Sequence, residues 1–152
     1  MNNSLSRVPV PQNETVLSYA PGSPEREALK DKLKEMGSST VEIPLFIGGE
    51  EVRTGKFGDC RPPHDHRRLI GRYHMGTRKH AADAVKAALK ARKAWAATPY
   101  QERAAVFLRA AELLAGPYRP VLNAATMLCQ SKTVYQAEID SACELIDFWR
   151  FN

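Results

Sequence analysis

The residues with the most chemistry to offer lie in two stretches. In "QAEIDSACELIDFWRFN", Asp140, Glu144 and Asp147 stand at i, i+4 and i+7, so on a helix the three carboxylates share one face. Taken alone, such an acidic stripe describes an ordinary solvated helix face. In "CRPPHDH", Cys60, His64 and His66 share one loop, with His74 and His80 farther on. These are zinc-ligand types, but C-x₃-H-x-H is not a finger spacing and no second cysteine stands near. Of the three thiols, Cys60 is flanked by Arg61, a neighbour able to lower a thiol pKa, whereas Cys129 and Cys143 fall on expected helices. Three cysteines are an odd and sparse set, which points to reduced thiols rather than a disulfide framework.

The elements that must position these residues follow from periodicity and punctuation. Residues 1–22, rich in Asn, Ser and Pro, read as an extended arm. "GSPEREALKDKLKEMG" signals a helix: Ser23 as N-cap, Pro24 at the first helical position, Glu25 and Glu27 near the positive end of the dipole, and Gly37 as terminator. Its narrow stripe of Ala28, Leu29 and Leu33 suits a surface helix. Val41–Ile47 reads as a strand, with Gly48-Gly49 as the tight turn of a hairpin returning at Val52 and Pro44 marking an edge. "RRLIGRYHM" reads as a further short strand.

From Thr77 onward the chain reads as helical. Ala81, Ala84, Val85, Ala88, Ala91 and Trp95 recur at helical spacing and predict a face packed closely on a neighbour. Thr98, Pro99 and Gln101 predict a capping box for a second helix, with Val106, Phe107, Ala110, Leu113 and Leu114 as its buried side. A third helix is expected over 118–129. A last one runs from about Thr133, with Tyr135, Ile139, Ala142, Cys143, Ile146 and Trp149 on one face. The division is thus an arm over 1–22, a helix and strand region over 23–76, and a helical part over 77–152.

Bulk properties narrow the function classes. The chain has 152 residues, 43% of them hydrophobic and 26% charged, as in one ordinary globular domain. No apolar run approaches a membrane span, and the first residues carry neither a signal-peptide core nor an Arg-rich amphipathic pattern. The net charge of +5 is concentrated between Val52 and Lys93, with twelve Lys or Arg against three Asp. These charges spread over a turn, a strand and a helix without a stacking platform, so they read as a solvated basic surface and not as a nucleic-acid site. Three short strands rarely make a sheet alone, and the last helix ends on an aromatic face without a cap. Both features lead to the expectation that the chain is part of something larger.

The stretches "GSPEREAL", "IPLFIGGEEV", "AALKARKAW", "ERAAVFLRAAELLAGPYR" and "SKTVYQAEIDSACELIDFWRFN", in this order, resemble the N-terminal part of the delta-1-pyrroline-5-carboxylate dehydrogenases of the aldehyde dehydrogenase superfamily. The resemblance runs from about Thr15 to Asn152. It implies an α/β fold with a Rossmann-type NAD domain, of which this chain holds a mainly helical part with an N-terminal hairpin and short strands. It also implies oxidation of L-glutamate γ-semialdehyde to glutamate in proline catabolism, through a cysteine nucleophile and NAD⁺.

Both the catalytic cysteine and the glycine-rich phosphate loop of the family fall beyond this stretch. No catalytic residue, cofactor contact or metal ligand is therefore assigned here, and the chain alone is expected to be inactive. One role carries over: Glu144 matches the glutamate that faces the substrate's amino group. The resemblance implies that related enzymes often have glycine where Ser131 stands, which predicts strain if the backbone there is left-handed. The implied partners are the remainder of the dehydrogenase chain and further copies in a homo-oligomer, with no nucleic acid and no membrane. The implied location is a bacterial cytoplasm, or the mitochondrial matrix in a eukaryote. The competing reading is a non-catalytic helical module that docks on a full-length subunit through the aromatic face of the last helix.

Overall fold

The computed structural model describes residues 9–152, so the start of the expected arm lies outside the described residues. Residues 9–20 form neither helix nor strand, with Tyr19 in a left-handed conformation (φ 52°), and helix α1 follows over Pro24–Ser38. Its first turn has the expected proline and acidic residues, although Ser23 makes no side-chain capping bond. Helix α1 ends one residue past Gly37, whose missing side chain leaves room for the Arg68 guanidinium 3.4 Å from where a Cβ would stand.

Pro44 does more than mark an edge. It breaks the expected strand in two, and the halves join different sheets. Strand β1 (Val41–Ile43) pairs parallel to β5 (Gly71–His74), with Val41 opposite Gly71. Strand β2 (Leu45–Ile47) forms the expected hairpin with β3 (Glu50–Val52). Proline has no N–H to give either ladder, so the switch costs no hydrogen bond at that position. Gly48 and Gly49 take φ of 63° and 91°, the left-handed pair that a two-residue hairpin turn requires. Strand β4 (Phe57–Cys60), which the sequence reading passed over, pairs antiparallel to β5 and completes the order β1-β5-β4.

The helices follow. They are α2 (Arg78–Ala97), α3 (Tyr100–Ala115), α4 (Arg119–Gln130), and a last rod made of α5 (Val134–Ala137), a π-helical turn (Glu138–Cys143) and α6 (Glu144–Phe151). Two apolar clusters hold them. Tyr19 of the arm, Leu29 of α1 and Ala124 of α4 form one, with Leu17, Leu33 and Met127 packed on it. Ala111 and Leu114 of α3 close on Ile146 of α6 in the other, with Leu122, Leu145 and Trp149.

Four sequence expectations change here. Helix α2 buries none of its residues; Val85, Leu89 and Trp95 stand 59%, 60% and 43% exposed. Its alanine stripe thus has no neighbour among the described residues. Thr98 does not cap α3. It closes α2 instead, donating its hydroxyl to the Ala94 carbonyl at 3.0 Å, and Pro99 precedes α3 without a capping box. Capping boxes do occur at Thr77 with His80 and at Thr133 with Gln136. The buried side of α3 is Ala111 and Leu114, while Val106 and Phe107 are exposed. On the last rod Ala142, Cys143 and Ile146 are buried as read, but Tyr135 is exposed.

Candidate functional site

The carboxylates of the last rod do not form a uniform solvated stripe. Asp140 pairs with Lys132 at 2.7 Å. Asp147 accepts from the Asn13 side-chain amide at 2.8 Å and from the Glu14 backbone N–H at 2.7 Å. Glu144, by contrast, is exposed and makes no hydrogen bond or ion pair with any described residue. It opens onto a cavity of about 350 Å³ whose lining comprises Asn13, Glu144, Asp147, Phe148, Phe151 and Asn152. An unpaired carboxylate beside aromatic rings can take an ammonium group by a charge-assisted hydrogen bond and a cation–π contact.

What positions Glu144 is a buried polar core that the sequence reading missed. Glu138, fully buried, accepts from the Leu17 backbone N–H at 2.8 Å, the Tyr19 hydroxyl at 2.8 Å and the Asn123 side-chain amide at 2.7 Å. It also receives both the Nε and Nη2 of Arg119, the former at 3.3 Å. Arg119, itself buried, reaches the Glu14 carboxylate and the Thr15 carbonyl, each at 2.6 Å, and Arg150 holds Glu14 from the other side at 2.7 Å.

The arm is thereby fastened to α4 and to the last rod by charged groups out of water. Burial pushes the Glu138 carboxyl up, but the Arg119 guanidinium and the N–H and O–H donors around it outweigh that and hold it below the usual carboxylate range. Burial likewise works against the Arg119 charge, and its bonds to Glu138 and Glu14 more than restore it. The Tyr19 phenol is pushed up by burial and by the Glu138 charge. Asn123 Oδ1 stays buried without a partner among the described residues.

The π-helical turn sets the phase of this arrangement. Its extra residue per turn returns Cys143 to the side of Glu138, five positions earlier, with Sγ 3.8 Å from Oε1 and 3.4 Å from Arg119 Nη2. Glu144 is thereby carried past the buried face to the open one. The trace in sequence is the buried spacing Ala137, Glu138, Ala142, Cys143, which fits neither three nor four residues throughout.

The other candidates fare differently. His74 is buried; its Nδ1 accepts the Thr54 and Gly55 backbone N–H groups at 2.9 and 3.2 Å, so Nε2–H donates to Glu42 at 3.0 Å. That bond, and then Arg53, draws the Glu42 carboxyl down. His80 caps α2 at Thr77, and His64 bonds Ser131 at 2.7 Å. The structure does not gather these histidines with Cys60, and among the described residues no group of three or more His, Cys, Asp or Glu could hold a metal ion. Burial pushes the Cys143 thiol up to about 11 and also raises Cys129, the opposite of an activated nucleophile.

Nor do the described residues make a dinucleotide cradle. Gly48-Gly49 turns between two strands, and where β5 does run into α2 it brings the single glycine Gly76, with the helix start taken by Thr77 and His80.

Comparison with known proteins adds a second line. Residues 52–152 match the profile of the Aldehyde dehydrogenase family. A curated delta-1-pyrroline-5-carboxylate dehydrogenase of Agaricus bisporus is 48% identical over 146 residues, 95% of this chain and 27% of that protein. A mitochondrial one of Bos taurus is 47% identical over 140 residues, 92% of this chain and 25% of that protein. The crystal structure of the delta-pyrroline-5-carboxylate dehydrogenase from Mycobacterium tuberculosis bound with NAD superposes with a TM-score of 0.94 at 52% identity, covering 99% of this chain and 28% of that one. The chain thus spans about a quarter of the length of the relatives it matches.

Proposed function

From a chain that belongs to the aldehyde dehydrogenase family, we propose a share in a delta-1-pyrroline-5-carboxylate dehydrogenase, an NAD-dependent enzyme that oxidises L-glutamate γ-semialdehyde to glutamate in proline catabolism. The share is a scaffold and one wall of the substrate site: an arm over 1–22, a helix and strand region over 23–76, and over 77–152 the helical part of the cofactor domain. The observation that carries the reading is Glu144, the unpaired carboxylate of an aromatic-lined cavity, in a chain 52% identical across 99% of its length to a solved enzyme of that name. A substrate bearing an α-ammonium needs such a group.

The nucleophile and the NAD cradle belong to the remainder of the dehydrogenase chain. That remainder is the partner proposed to cover the exposed apolar residues of α2 and α3, and the assembled enzyme is a homo-oligomer. Among the described residues no helix is long and apolar enough to cross a membrane. Three free thiols suit a reducing compartment, a bacterial cytoplasm or a mitochondrial matrix.

The test uses a full-length chimera in which this chain replaces the matching segment of the M. tuberculosis enzyme. Glu144→Gln is expected to lower kcat/KM for glutamate semialdehyde about 10- to 100-fold, the worth of one charge-assisted hydrogen bond. It should leave an analogue aldehyde lacking the ammonium unchanged. Equal losses on both aldehydes, or none on either, would refute the assignment of Glu144.

A further inference from the structure

The arm reaches the Glu144 cavity, and no sequence signal marks it as part of the site. We infer that Asn13 is a second specificity-determining residue, supplied by the arm, and that its carboxamide oxygen completes the acceptor set for the substrate's ammonium group. The inference rests on the reading of Glu144 given above.

The argument begins with Asp147, one turn along α6 from Glu144 and lining the same cavity. Left alone, it would put a second free carboxylate beside the first and favour a dication. The arm prevents this: Asn13 Nδ2 donates to one Asp147 oxygen at 2.8 Å and the Glu14 backbone N–H to the other at 2.7 Å. Each carboxylate oxygen thus has an N–H donor, and Glu144 remains the unpaired acid of the cavity among the described residues.

The same contact orients Asn13. One Nδ2–H goes to Asp147, and Oδ1 of this cavity-lining residue accepts no hydrogen bond among the described residues. An ammonium carries three N–H donors. The Glu144 carboxylate satisfies two at most without crowding, and Asn13 Oδ1 offers a place for the third.

The position is not that of a loose tail. Glu14, next in the chain, is held by Arg119 at 2.6 Å and Arg150 at 2.7 Å, and Thr15, Leu17 and Tyr19 are each tied to Arg119 or Glu138. A wall fixed this firmly can select by geometry, as a site on a free terminus cannot.

In the chimera, Asn13→Ala is expected to raise KM for glutamate semialdehyde about tenfold, with KM for the analogue lacking the ammonium within twofold of its starting value. A merely structural role for Asn13 would shift both aldehydes together, and that outcome overturns the inference. Loss of ammonium selectivity in Glu144→Gln without any in Asn13→Ala also overturns it, while leaving the Glu144 reading intact. If Glu144→Gln has no selective effect, the site reading itself falls. A measurement free of catalysis stands beside these. In the 152-residue chain, titration with L-glutamate is expected to shift the Asn13 side-chain amide signals by NMR, and not in Glu144→Gln. A response at Glu144 with none at Asn13 counts against the inference.

Discussion

At the scale of single residues, the costly feature is the Glu138–Arg119 pair. Two charges with 0% and 5% of their side chains exposed have each lost hydration that only close partners offset. Removing one charge leaves the other stranded, so Glu138→Gln is expected to cost about 3 kcal/mol at neutral pH. The pH dependence has a definite sign. The Glu138 carboxyl lies below its ordinary value in the folded chain, so in acid the unfolded state takes up the proton first. Stability from this group is therefore present above the usual carboxylate range of about 4 and is lost as pH falls through it and below. Urea denaturation of wild type and Glu138→Gln at pH 7 and pH 4 checks both points. The gap between the two proteins should narrow in acid, and a constant gap would mean that the pair is not what holds the arm.

At the scale of elements, the junction between α4 and the last rod carries its own strain. Ser131 sits at φ 56° and ψ 32°, a left-handed conformation that costs an L-residue roughly 1–2 kcal/mol and glycine almost nothing. Its hydroxyl recovers part of that through His64 at 2.7 Å, an exposed bond worth about 0.5 kcal/mol. Ser131→Gly is thus expected to stabilise the chain by about 0.5–1 kcal/mol and to raise its melting midpoint by about 2 °C, read by thermal denaturation. A lower midpoint would show that the His64 bond outweighs the backbone strain. The left-handed backbone at Ser131 meets the condition under which the sequence reading expected strain there. The hairpin at Gly48-Gly49, the proline start of α1 and the span of α4 were legible for local reasons. Two things were not. Strand β4 has little hydrophobic alternation of its own and exists because β5 pairs with it. The π-helical turn shifts the buried face by one position, so a reading at fixed helical spacing put Tyr135 inside and overlooked Glu138. Of the candidate site, Glu144 was proposed from the resemblance. The arm could not be, since its contacts join residues more than a hundred positions apart, which no local pattern encodes.

At the scale of the whole molecule, the two halves of the chain differ in how they are held. Helices α1, α3, α4 and α6 enclose the two apolar clusters and the buried charges. Helix α2 has 20 residues and buries none; it touches the rest chiefly at the hairpin, where Ala87 lies 3.3 Å from the place a Cβ on Gly48 would occupy. An alanine-rich helix of that length is marginal by itself in water, because nucleation is costly and nothing is gained by packing. The sequence reading took the alanine stripe as a sign of close packing, and among the described residues no neighbour covers it. Small side chains and the exposed Val85, Leu89 and Trp95 form a face whose stability depends on being covered. Hydrogen exchange therefore separates the halves. In the 152-residue chain the α2 amides are expected to exchange at least a hundredfold faster than those of Asn123–Leu128 in α4, the slowest set. In the full-length chimera α2 should slow by tenfold or more while α4 changes little, since α4 is already packed. Equal protection of α2 and α4 in the 152-residue chain would mean that the helix needs no cover. Unchanged α2 exchange in the chimera would mean that the rest of the dehydrogenase packs elsewhere.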